Sequence, residues 1–157
     1  MRSTVQNLSS LLSGTHSDDV PISPLHASYR DFLCDSTQSV PFFIDMGKAN
    51  QRMALGCFGV MEQLLEFNIC RLPTSFVSND DIPNITKLRE AHIPSPLSYA
   101  CQKWTFHVSA ASDQVKLQSL VRSFFHDQFL YWLEVMSVVK SSPQTALRLL
   151  NTVQVGL

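Results

Sequence analysis

The sequence holds little of what fixed-site chemistry usually draws on. Five of its 157 residues are glycine and none are grouped. No glycine-rich loop ending in Lys and Ser or Thr can cradle phosphates, and no carboxylate strand can hold magnesium, so the chain carries no NTPase site of its own. The Gly-x-Ser-x-Gly elbow of serine hydrolases is missing. Four cysteines, Cys34, Cys57, Cys70 and Cys101, are spaced 23, 13 and 31 residues apart with no Cys-x-x-Cys pair, which excludes a zinc pattern and reads as small buried hydrophobes. Charged residues are 16% of the chain against a usual quarter, and the net charge of -1 gives no basic excess for nucleic acid. The longest apolar run, residues 129–139, is interrupted by Glu134 and too short to cross a bilayer. The N-terminus has one Arg and no unbroken apolar stretch, so no signal peptide is expected and the chain reads as cytoplasmic. Its sequons at Asn7 and Asn84 then carry no meaning.

What is present is apolar periodicity, with hydrophobic residues at 45%. Val5, Leu8, Leu11 and Leu12 predict an amphipathic helix over residues 2–13, stopped by Gly14. Residues 20–25, with two prolines, predict a short edge strand. A helix is expected from about His26, with Leu25, Tyr29, Phe32 and Leu33 on one side as a docking stripe and Arg30 and Asp31 on the other. After a polar loop at 35–40, residues 41–44 form an apolar plug and Asp45 is placed to cap the next helix. That helix, expected over 47–67, carries Ala54, Cys57, Phe58, Met61, Leu64 and Leu65 at offsets of three and four. Gly56 and Gly59 inside it cost about 1 kcal/mol each relative to Ala, which predicts close approach of another helix.

Residues 68–83 are rich in turn formers and read as a flexible connector. A short helix is expected over 82–92. The following helix, with Ser95 as cap and Pro96 at its first position, buries Leu97, Ala100, Cys101, Trp104 and Val108 and puts His107 on a flank. A further helix holds Val115, Leu117, Leu120, Val121, Phe124 and Phe125, capped by Ser112 or Asp113. Residues 129–139, apolar almost all round, should be the centre of the core. A last helix opens at Pro143, and the polar tail beyond Leu150 should fray.

Two pairs could in principle be reactive. Cys101 and His107 would be nucleophile and base, but six helical residues separate them by about 120°. His126 and Asp127 would be metal ligands, but neighbouring helical residues point apart and no third ligand accompanies them. The aromatics Trp104, Phe106, Phe124, Phe125, Phe129, Tyr131 and Trp132 could form a partner face, though their helical spacing favours a core. No cofactor or metal is expected.

The strings LHASYRDFL, PFFIDMGKANQRMALGCF, LLEFNICRLPTS, IPSPLSYACQKWTFHV and FLYWLEVMSVV, in this order over residues 5–139, resemble the region behind the NTPase domain of fungal NACHT/WD-repeat proteins, which are STAND-class switch NTPases. The resemblance implies a mainly α fold: the C-terminal part of a winged helix over residues 1–35, then a bundle of about five or six helices over 36–157. It implies that the earlier half of the winged helix lies outside this chain, as in a truncated product. His26 matches the winged-helix histidine that reaches nucleotide phosphates in related switch ATPases, and Tyr29 stands where that family usually has Phe. The function it implies is a non-catalytic regulatory spacer between a nucleotide switch and a WD-repeat sensor. Its partners would be NTPase and WD-repeat domains, with no nucleic acid and no membrane. A free-standing helical interaction protein, or a receptor fragment that binds a partner protein, is the other reading.

Overall fold

The computed structural model describes residues 8–16, 20–74 and 76–141. Two compact units divide the chain, Met1–Asp45 and Met46–Leu157. The predicted helix at Pro143 and the polar tail lie outside the described residues.

In the first unit, residues 8–11 form a turn closed by the Leu11 and Leu12 N–H groups on the Leu8 carbonyl. Strand β1 (Leu12–Ser13) then pairs antiparallel with β2 (Ser23–Pro24), Leu12 opposite Pro24 and Ser13 opposite Ser23. This corrects the helix expected through Ser13: the ladder claims its last residues, while residues 2–7 of that helix lie outside the described set. Gly14 accordingly does not stop a helix. It has φ +74°, and a Cβ there would sit 2.5 Å from the Pro21 carbonyl oxygen, so the hairpin itself requires glycine. Helix α1 (Ala27–Cys34) follows where expected. The Asp35 carboxylate organises the next turn, accepting from the Thr37 N–H and hydroxyl and from the Gln38 side-chain amide. Those bonds, the Thr37 hydroxyl's first, hold this carboxyl below the usual range. A 3-10 turn at Val40–Phe42 and a bond from the Ile44 N–H to the Leu33 carbonyl complete the unit.

The second unit is the helical bundle. Its helices are α2 (Met46–Leu64), α3 (Ile85–His92), α4 (Ser95–Ser109), α5 (Val115–Asp127) and α6 (Phe129–Val138). The core lies between α2 and α4, closed by α5 and α6. Ala54, Cys57, Phe58 and Met61 of α2 meet Leu97, Ala100, Cys101, Trp104 and Val108 of α4, all buried as their spacing predicts. Leu64 is the exception on α2, left exposed where the helix ends. Trp104 is the hub. Its ring centroid lies 5.3 Å from Phe58, 4.8 Å from Phe124 and 6.3 Å from Trp132, mostly in tilted or edge-on pairs. The Trp132 indole N–H donates to the Cys101 carbonyl at 2.8 Å, whereas the buried Trp104 N–H has no acceptor. Of the seven aromatics, Trp104, Phe124 and Trp132 are buried, Phe125, Phe129 and Tyr131 pack partly against the core, and Phe106 is exposed.

Three other expectations change. Gly56 and Gly59 meet no close neighbour: a Cβ on either would find nothing within 4 Å, so no described helix makes the close approach expected there. The α4 start shifts by one residue, with Pro94 at the cap position and Pro96 within the first turn. The beginning of the connector is pinned. Asn68 holds the left-handed conformation at φ 51°, its side chain bonds both backbone groups of Leu72, its N–H donates to the Glu134 carboxylate at 2.9 Å, and Ile69 and Cys70 are buried.

Candidate functional site

His26 lies at the position that starts α1. Its backbone is extended, and its ring Nδ1 accepts the Ser28 N–H at 3.1 Å and contacts the Ser28 hydroxyl at 2.7 Å. An imidazole thus fills the capping role usually taken by Ser, Thr or Asp, and its ring is exposed. The α1 stripe is open: Leu25 and Phe32 are exposed, Tyr29 and Leu33 half-buried, and α1 contributes no buried residue.

In the second unit the only buried histidine among the described residues is His107, not flanking as its spacing from Trp104 predicts but buried. It belongs to a polar chain. The Asn50 side-chain amide donates to the Met46 carbonyl at 2.8 Å, which turns its oxygen toward His107 Nδ1, also at 2.8 Å. Nδ1 therefore carries the proton, and Nε2 accepts from the Tyr99 hydroxyl at 2.8 Å. Burial, with Lys103 adding its charge, pulls the His107 pKa down, and burial pushes Tyr99 up, so both stay neutral. With both ring nitrogens engaged, His107 clamps α2 to α4 and is not set to activate a nucleophile. The sequence did carry a signal for this: Asn50 sits four residues before Ala54, on the stripe that becomes the core.

The other candidate pairs do not assemble into reactive sites. Cys101 is buried, its thiol pushed up to about 12 by that burial, and the His107 ring bonds elsewhere. Cys57 is raised to about 11 for the same reason. All four cysteines are free thiols, with Cys34 half-buried. His126 and Asp127 do not point apart: at the end of α5 the ring bonds the neighbouring carboxylate, in an exposed pair. That contact raises His126 and lowers Asp127. Among the described residues no group of three or more His, Cys, Asp or Glu is placed to hold a metal.

One cleft of about 400 Å³ is lined by Asn68, Leu72, Val77, Glu134, Ser137 and Val138. The Glu134 carboxylate spends one oxygen on the Asn68 N–H. Its charge, after burial, raises the Cys70 thiol. No family model, curated protein or solved structure matches this chain. Among the described residues, no helix is long and apolar enough to cross a membrane.

Proposed function

We propose that the chain is a non-catalytic regulatory and spacer module of a STAND-class, NACHT-type signal-transducing NTPase. Residues 1–35 would be the closing part of a winged helix, and residues 36–157 the helical segment leading toward a WD-repeat sensor. One observation carries this reading beside the sequence resemblance: no described apolar side chain of the first unit is buried, although strand, turn and helix are all in place. A segment with secondary structure and a docking stripe but no interior fits a piece of a larger domain. His26, exposed at a helix start with a ring nitrogen already turned to local N–H and O–H groups, is the residue that would reach nucleotide phosphates in the assembled receptor. The protein partners would be the NTPase and WD-repeat domains, in the cytoplasm.

The test is to mix the chain with the purified NTPase and first winged-helix half of a NACHT/WD-repeat receptor. Hydrogen exchange over residues 20–45 and release of bound ADP are then followed. Slowed exchange there, with slower ADP release that is lost in His26→Ala, is the expected result. Unchanged exchange over residues 20–45 would overturn the reading. A free-standing interaction protein is the second reading, favoured by the exposure of Phe67 at 79% on the bundle itself. It predicts protection at Phe67 rather than at α1 when a partner binds.

A further inference from the structure

We infer that the outward face of α2 is a self-association surface, on which the α2 helices of two copies of this chain pack antiparallel. The inward face of α2 is spent on α4 and α5 through Ala54, Cys57, Phe58 and Met61. The opposite face presents Arg52, Leu55, Gly56 and Gln63 to solvent, with Gly59 half-exposed beside them. Leu55 is 46% exposed there. Its charges run in the wrong order for a lone helix. Lys48 and Arg52 occupy the N-terminal part and Glu62 the last turn, with no acidic residue in the first turn and no basic residue in the last. The helix macrodipole favours the reverse. Ten residues, about 15 Å along the axis, keep Arg52 from pairing with Glu62 of its own helix.

An antiparallel second copy removes the conflict. Arg52 and Glu62 lie five residues either side of Cys57. A two-fold axis at the level of Cys57 therefore sets the basic half of each helix against the acidic half of the other, twice by symmetry. Glu62 lines a cleft of about 140 Å³ with Phe58, Ser123 and Asp127, whose carboxylate is already bonded to His126 and Ser123, so Glu62 is the carboxylate there that a guanidinium would meet. The space beside Gly56 and Gly59, which no described helix uses, admits a second backbone at short range. The inference does not depend on the receptor reading.

Sedimentation equilibrium of the full chain across a wide concentration range, at low and high salt, tests it. A reversible monomer–dimer equilibrium that weakens with salt is expected. Arg52→Glu and Glu62→Arg should each weaken it about tenfold, because each reversal breaks two symmetric pairs and creates like-charge contacts. The double reversal should restore association to within about twofold. The thermal midpoint of the dilute monomer should hold or rise in Glu62→Arg, since a basic residue suits the last turn. A chain that stays monomeric throughout overturns the inference. So does a dimer indifferent to the single reversals, or one the double reversal fails to restore.

Discussion

Residues 20–45 and the bundle from Met46 onward both carry many large apolar side chains, yet only the bundle keeps them from water. In the first stretch Leu25 is 59% exposed and Phe42 66%. In the second, Trp104, Leu97, Leu117, Trp132 and Val135 are fully buried. The difference lies in what each stretch can pack against. Among the described residues, an eight-residue helix and a two-residue ladder offer one apolar stripe and no second stripe of the same unit to cover it, whereas α2, α4, α5 and α6 offer four stripes that face one another. Periodicity makes a stripe, but only a second stripe makes a core.

The sharpest break in this comparison is Trp104→Ala. It should cost about 3–5 kcal/mol in urea unfolding followed by circular dichroism, because the side chain is completely buried at the hub of the aromatic cluster. Next come the two indoles. Trp132→Phe leaves the Cys101 carbonyl without its donor, while Trp104→Phe removes an N–H that has no acceptor, so the first should cost about 1–2 kcal/mol more than the second by the same assay. Equal costs would mean that the two N–H groups are equally satisfied.

Asn50→Ala should cost about 1–3 kcal/mol, since it strands the buried His107 Nδ1–H. The same clamp sets a pH dependence. The pKa of His107 is depressed on folding, so the native state binds fewer protons than the unfolded chain. Its contribution is therefore complete above the unfolded pKa of 6.5 and is lost as pH falls through that value toward the lower folded one. Denaturant midpoints between pH 7 and pH 5 should show the decline in the wild type and a flatter profile in His107→Gln.

Smaller effects finish the series. Gly56→Ala should stabilise the bundle by about 0.5–1 kcal/mol in thermal unfolding of the dilute chain, because an added methyl group meets open space on a helix. Phe42→Ala in the first unit should change stability by no more than about 0.5 kcal/mol, as expected for a side chain that packs little. A loss like that of a core phenylalanine would show that residues 20–45 do hide an interior.

Much of this was legible in the chain. The stripes Leu97, Ala100, Cys101, Trp104, Val108 and Leu117, Val121, Phe124 named the buried faces of α4 and α5 because their helical periodicity runs over successive turns and the packing agrees with it. His26 was legible as a helix opener and, from its position alone, as a surface or capping residue, and its exposed ring does serve as the cap. What failed did so for non-local reasons. Leu12 and Ser13 read as helix, but a strand ten residues later claimed them. The glycines read as a contact because they are costly inside a helix, yet among the described residues nothing lies within 4 Å of a Cβ built on either. His107 read as flanking because spacing alone cannot say that Asn50 and Tyr99 lie within hydrogen-bond reach.

By itself, then, the sequence determined the mainly helical class, the identity of most core residues and the absence of phosphate-loop and zinc motifs, all of which follow from local spacing and composition. The tertiary structure alone decided which polar groups are buried together, which indole N–H finds an acceptor and which apolar stripe is left facing water. Those outcomes depend on residues far apart in the chain meeting at hydrogen-bond or van der Waals distance, and no local pattern encodes that meeting.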